Sequence, residues 1–465
     1  MAELRAADVR AVAEQLGRDP TTPFSVVARC AATGGHPLVI RNHPLDRDGR
    51  PFPTLYWLTC PAAVKAVARL ESGGWIGKLN DRARSDAEFL GALTRAHKDY
   101  ALERSRIARE SGAWGGVGGT RRSLKCLHAH YAYHLAGGED PVGAWVAERV
   151  EPVHEERSGR VAAIDLGTNS VRLLIVEPSA DGHLVELARD MRITRIGQGV
   201  DRTGRIASEA LDRSVAVMER YGRRARALHA TRIRVAATSA VRDASNRDDL
   251  EDAVRRIADS PLEVLSGEQE ARLSFIGAVQ SLAVRTPALI VDIGGGSTEF
   301  VLGDREPRDA VSKQMGSVRL TERFIHHDPP IQEELAALRA TVEQVLSEVE
   351  SEVPVREAAT LVAVAGTATT TQAVAMDLST HDPDVVHGSV LTAKRAHDVV
   401  ERLCAMTVAE RAALSVMPPG REDVIVAGAV ILDRILTRWG FKWAVISEAD
   451  ILDGLALEMA SHSLT

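Results

Sequence analysis

The chain has 465 residues, enough for two to four domains, and its 45% hydrophobic and 26% charged residues give the balance of a globular protein with buried cores. Aromatic residues make up only 4%, too few for the stacking platforms that hold single-stranded nucleic acid, and no apolar run nears the roughly 18 residues of a membrane span. The net charge of −7 divides into +3 over residues 1–157 and −10 over the rest, so a polyanion has to be met by local arginines or cations and not by a global field.

A mixed-charge amphipathic helix over 6–16 opens the chain and lacks the pattern of a secretory signal. Cys30, Cys60, Cys126 and Cys404 form no disulfide framework, which points to a cytoplasmic protein. Helical patterns follow over 61–71 and 81–109, then the turn G-G-V-G-G at 115–119, which lacks the Lys-Ser/Thr ending of a phosphate-binding loop. In the next helix Cys126, His130 and His134 recur at i, i+4 and i+8. They would occupy one face, which either ligates zinc or is a satisfied, partly buried surface. Residues 151–160 are polar, carry a proline and a glycine, and precede an abrupt apolar strand. A domain boundary is expected there, at 157/158.

Beyond it the pattern alternates. Strands are expected at 161–165, 171–177, 184–193, 232–238 and 262–266, and helices at 207–229, 247–258 and 267–283. A second series places strands near 288–292, 298–303, 360–365 and 442–447. Its helices fall near 317–325, 331–350, 367–377, 391–403 and 421–438, and after Ala449. Valine- and isoleucine-rich strands alternating with helices indicate an α/β fold with covered sheets.

The series is internally repeated. Around Asp292 the sequence reads strand, glycine turn (Gly294, Gly295, Gly296, Ser297), strand. Around Asp165 it reads the same way (Gly167, Thr168, Asn169, Ser170), with Asp165 falling on Asp292, Gly167 on Gly294 and Ser170 on Ser297. Glycines let a backbone come close to an anion and turn N–H groups toward it. Asp292 and Glu299 flank such an anion, and carboxylates beside a phosphate call for a divalent cation between them, or for one of them to act on water.

Six ordered motifs carry a family resemblance: D-L-G-T-N-S at 165–170, A-T-S-A-V-R at 237–242, S-G-E-Q-E-A-R at 266–272, D-I-G-G-G-S-T-E at 292–299, G-S-V-R-L-T-E-R-F at 316–324 and A-G-T-A-T-T at 365–370. Over about 158–465 the chain resembles the exopolyphosphatase and guanosine pentaphosphate phosphohydrolase family, within the sugar kinase, heat-shock protein and actin superfamily. Residues 1–157 resemble a small bacterial family of uncharacterised function. The resemblance implies two actin-like (ribonuclease H-like) domains, 158–286 and 287–465, around a cleft, plus a separate N-terminal α+β domain, 1–157.

It implies a hydrolase that releases terminal phosphate from inorganic polyphosphate, or the 5′-terminal phosphate of guanosine pentaphosphate, with Mg2+ or Mn2+ and as a homodimer. Glu270 matches the family's general base, and Arg242 its phosphate-binding arginine. Asp165, Asp292 and Glu299 are the candidates for holding the cation, and Gly167 to Ser170 and Gly294 to Ser297 for cradling phosphate. The rival of another class is a catalytically silent sensor of a phosphorylated ligand. Three features keep two readings: Gly366 to Thr370, ligand contact or threonine helix capping; Arg192, Arg195, Arg202 and Arg205, a guide for a long polyanion or a solvated loop; and His387, in the cleft or outside it.

Overall fold

The computed structural model describes residues 5–30, 35–52, 54–107, 115–150, 159–179, 183–258 and 260–461. The expected boundary segment lies, from 151 to 158, outside the described residues.

The N-terminal unit builds a small antiparallel sheet from β1 (Phe24–Cys30), β2 (His36–Asn42) and β3 (Tyr56–Leu58), in that order. Helices α1 (Ala87–Ile107) and α2 (Leu127–Leu135) pack against it through Tyr56, Tyr100 and Tyr133. Their rings lie 5.1 to 6.1 Å apart, and the Tyr100 hydroxyl accepts from the Leu55 N–H at 2.6 Å. The single helix expected over 81–109 is two, Trp75–Ser85 and α1. The break is at Asp86, whose backbone is extended and whose carboxylate accepts from the Phe89 N–H at 2.9 Å.

The first half carries a five-stranded sheet of β4 (Val161–Leu166), β5 (Ser170–Pro178), β6 (Leu184–Ile193), β7 (Arg232–Ala237) and β8 (Glu263–Val264), ordered β6-β5-β4-β7-β8. Helix α3 (Ser208–Ala227) lies on it, and α4 (Gly267–Ser281) leads to the second half. There β9 (Ala288–Ile293), β10 (Thr298–Gly303), β11 (Pro307–Lys313), β12 (Thr360–Val364), β13 (Val390–Thr392) and β14 (Trp443–Ile446) are ordered β11-β10-β9-β12-β14-β13. Each of these two sheets is an antiparallel meander of three strands joined in parallel to the next strand, the doubling expected from the repeat and the actin-like halves implied by the resemblance. Every residue of β4 and of β9 is buried, which is why both read as continuous apolar runs. Helices α5 (Ala365–Ala375) and α6 (Ile425–Trp439) belong to the second half, and α7 (Ile451–Ser461) follows β14.

The halves exchange a helix. Ala271, Phe275 and Ala278 of α4 pack on Ile290, Val301 and Val362 of the second sheet. Leu452, Leu455 and Ala456 of α7 pack on Val161, Ala163 and Leu174 of the first. The two helices cross at glycines: a Cβ on Gly277 would stand 2.0 Å from the Asp450 carbonyl oxygen, and one on Gly454 2.1 Å from that of Leu273. Only glycine fits either place.

The N-terminal unit is seated on the first half. One apolar cluster runs from Val39 and Tyr56 to Leu173 and Tyr221, and a Cβ on Gly137 would lie 2.6 Å from the Arg220 carbonyl oxygen of α3. Among the described residues no helix is long and apolar enough to cross a membrane.

Candidate active site

The two repeated turns close in the same way. The Gly167 N–H donates to the Ser170 carbonyl at 2.9 Å, and the Gly294 N–H to that of Ser297 at 3.0 Å. They face each other at the bottom of a cleft of about 1380 Å³ lined by all eight residues of the two turns. None of Gly294, Gly295 and Gly296 has a positive φ. Their need for glycine comes from crowding: a Cβ on Gly296 would lie 2.7 Å from Ser239 Oγ and 2.8 Å from Thr168 Oγ1, and one on Gly295 3.0 Å from Thr168 Cβ. Glycine therefore brings the turns together, with their open side still toward the cleft.

The motif at 316–324 fastens the second turn. Ser317 and Val318 N–H groups donate to the Gly294 and Gly295 carbonyls, both at 2.9 Å, and Arg319 Nε to that of Gly296 at 2.8 Å. Motif 266–272 starts α4 with a capping box: Ser266 Oγ accepts from the Gln269 N–H, and the Gln269 side chain from the Ser266 N–H. This start orients Glu270, one helical residue further on, into the cleft lining.

Strand register then sets the charges. Asp165 of β4 pairs directly with Arg172 of β5, and Asp292 of β9 with Glu299 of β10. Arg172 forks onto Asp165 Oδ2 at 2.9 and 2.7 Å and also bonds Asp450 at the start of α7. Asp292 accepts from Ser274 Oγ at 2.5 Å, and Glu299 from Ser312 Oγ at 2.7 Å. Asp165, Asp292, Glu299 and Asp450 are all buried, and Glu270 is 8% exposed. Among the described residues, Arg172 and Arg242 are the guanidinium groups paired with this set of five carboxylates.

The carboxyls answer accordingly. Burial and then Glu299 and Asp292 push Glu270 well above the usual range, against the pull of Arg242. Burial and Asp450 raise Asp292 to about 6 despite its Ser274 bond, and burial and Asp292 raise Glu299 to about 8. Burial also lifts Asp165, although Arg172 opposes it. Among the described residues, one oxygen of Asp165, Oδ1, is buried with no hydrogen-bond partner, and so is Ser239 Oγ beside Gly296. A buried acceptor without a donor, among carboxylates that outnumber their arginines, fits a divalent cation.

Arg242 stands beside the candidate base: its Nη1 donates to the Leu265 carbonyl at 2.8 Å and to Glu270 Oε2 at 3.2 Å, so it holds Glu270. Glu299 is coupled electrostatically to both Asp292 and Glu270. Threonine capping is not the role of 366–370. The helix begins at Ala365, whose φ is +65°, after Val364, which makes no side-chain cap. Arg421 Nη1 donates to Gly366 O and to Thr370 Oγ1 at 2.9 and 2.8 Å. His387 sits outside the cleft, bonding the Ser281 carbonyl and the Glu448 N–H. Of the basic run, Arg192 lines the cleft, Arg195 pairs with Asp423 across the halves at 2.8 Å, and Arg202 and Arg205 are exposed.

The zinc face is corrected too. Cys126 is the extended residue before α2, so it cannot continue a helical face, and His130 Nδ1 is committed to Asp140 at 2.7 Å. Cys126 instead approaches His128 and Glu71, without His130 or His134.

Arg172 and Asp450 were not anticipated. The repeat could have found Arg172, which falls on the position of Glu299 when Asp165 is laid on Asp292. Asp450 comes from 285 residues beyond Asp165, and no local pattern marks it.

Paired acidic hairpins facing across a two-halved α/β cleft define a phosphoryl-transfer site of the actin-like class. A model of the Ppx/GppA phosphatase family matches residues 175–462, and the chain belongs to that family. Residues 26–148 match a second model, described as a protein of unknown function (DUF501). Exopolyphosphatase 2 of Mycobacterium tuberculosis is 43% identical over 316 residues, 65% of this chain and 98% of the relative. Two solved structures are similar. The Ppx/GppA family member of Aquifex aeolicus has a TM-score of 0.57 at 31% identity, and an exopolyphosphatase from Cytophaga hutchinsonii 0.61 at 25%. Each similarity covers 65% of this chain and 98% of the other.

Proposed function

We propose that the chain is an exopolyphosphatase, hydrolysing the terminal phosphoanhydride bond of inorganic polyphosphate. The observation that carries this reading is Glu270, a nearly buried carboxylate on the cleft wall, oriented by Arg242 beside two facing glycine turns. The terminal phosphate lies between the turns, against the N–H groups and hydroxyls of Thr168, Asn169, Ser170 and Ser297. Glu270 takes a proton from water as the new O–P bond forms. The bridging P–O bond breaks, orthophosphate is released, and the shortened chain leaves.

Asp165, through Oδ1, and Asp292 would hold Mg2+ or Mn2+, with Glu299 behind Asp292. The cation supplies positive charge to these carboxylates and to the phosphate oxygens when bound. Arg172 meanwhile orients Asp165, and Ser274 orients Asp292. Guanosine pentaphosphate, which offers the same terminal phosphate, is the second candidate substrate.

Phosphate release by the purified chain with Mg2+, from polyphosphate and guanosine pentaphosphate in parallel, tests the reading. Glu270→Gln lowers turnover on the order of 10²–10⁴-fold. Full turnover by that variant would remove Glu270 as the base, and preference for the nucleotide would change the substrate.

A further inference from the structure

The cleft does not stop at the two turns. It continues past the edge strand β6 onto the N-terminal unit, where Arg41 of β2 and Glu103 of α1 line it opposite Arg192 of β6 and Arg220 of α3. Arg192 pairs in the sheet with Val171, the residue after Ser170, so this wall begins beside the first turn.

The junction carries more cation than it needs to hold itself together. Arg220 is committed: it reaches Glu103 at 2.9 Å and the Tyr56 hydroxyl at 2.6 Å, and that hydroxyl donates to Glu103 at 2.6 Å. Asp190 is approached by Arg224 at 3.3 Å and by Arg192 at 3.7 Å. Against the burial that would raise it, Arg192, Arg224, Arg41 and Arg220 hold Asp190 down at about 2. Four guanidinium groups thus surround two carboxylates.

The excess shows as unmet donors. Arg224 is 2% exposed, and among the described residues its Nε and Nη2 have no hydrogen-bond partner; neither has the buried Nη1 of Arg41. Elsewhere on this wall Arg213 donates to the Thr194 carbonyl at 3.0 Å and Arg223 to the Gly137 carbonyl at 3.1 Å, so the unmet donors belong to the junction. Buried guanidinium donors without acceptors are costly unless an anion completes them. A phosphate chain brings one such anion per unit, in a geometry that the guanidinium fork fits.

We propose that the N-terminal unit forms the distal wall of the substrate channel, where Arg41 and Arg192, backed by Arg224, hold inner phosphates of a polyphosphate chain whose end lies between the two turns. This rests on the polyphosphate reading above. It gives residues 26–148 a role in substrate binding, and it makes affinity depend on chain length.

The test compares KM for long-chain polyphosphate and for tripolyphosphate in the full-length chain. Arg41→Ala raises the KM for the long chain about tenfold relative to that for tripolyphosphate, the loss of one charge-assisted phosphate contact, and lessens its salt dependence. Arg192→Ala does the same should Arg41→Ala fail to fold, and Arg41→Lys recovers part of the loss. Arg50→Ala, from an exposed pair with Asp48, is the control. Equal movement of both KM values, or of neither, overturns the channel.

Binding of long polyphosphate to Glu270→Gln with and without Arg41→Ala separates the two ideas. Binding weakened about tenfold by Arg41→Ala, in a chain whose parent releases no phosphate, keeps the channel and removes the hydrolase reading. Unchanged binding in a parent that does hydrolyse removes the channel alone.

Discussion

Across the first hairpin Asp165 faces Arg172, whereas at the equivalent place in the second Asp292 faces Glu299. The backbones repeat, down to the 2.9 and 3.0 Å bonds that close their turns, yet one seven-residue offset ends in a cation and the other in an acid. In the first wall Arg172 holds Asp165 and, through Asp450, braces the last helix, and among the described residues Asp165 Oδ1 is left without a partner. The second is left with like charges that only protons or a metal ion can reconcile, and its two carboxyls rise to about 6 and about 8. A duplicated scaffold thus acquires a fixed side and a responsive side by changing one side chain.

The contrast breaks most severely at Arg172. Arg172→Gln leaves Asp165 and Asp450 buried without their partner, and costs about 3–5 kcal/mol in a denaturant titration whether or not Mg2+ is present. The matching change in the second hairpin has the opposite sign on stability. Glu299→Gln removes a carboxyl that has to take up a proton on folding near neutral pH, so the cation-free protein melts higher there, while turnover falls about tenfold to a hundredfold because the cation is held less well.

The smallest effect is in the pH dependence. A raised carboxyl binds protons in the native state that the unfolded chain has released, so its contribution is fully present below about pH 4 and is lost as pH rises through the native values. Without divalent cation the melting temperature therefore falls by several degrees from about pH 5 to about pH 9, the fall easing near 6 and again near 8. Added Mg2+ restores it most at the alkaline end. A flat profile, or an equal effect of Mg2+ at both ends, would show that the second hairpin is not the responsive one.

How much of this could be read beforehand follows from range. The buried strands β4 and β9 are local apolar runs, and the turns are local repeats, so Asp165, Asp292 and their glycines stood out in the sequence. Strand β11 did not: it alternates exposed residues, opens on Pro307 and sits at the sheet edge, where no core demands an apolar pattern. Cys126 misled because helical spacing assumes a helix, and that residue precedes one. That Arg242 reaches Glu270 was not legible, since the two lie 28 residues apart and only the fold joins them. The exchange of α4 and α7 was invisible, since neither helix carries any local sign of which sheet it will cover.

That exchange also sets an order in time. The face of the first sheet made by Val161, Ala163 and Leu174 is covered by residues 452–456, which are synthesised only after the whole second half. Leu265 and Leu273 reach this cluster earlier, but the cover from the last helix comes nearly three hundred residues after Val161. The nascent chain is then a sticky, incomplete intermediate of the kind that chaperones hold, and the first half cannot finish folding before the second has been made.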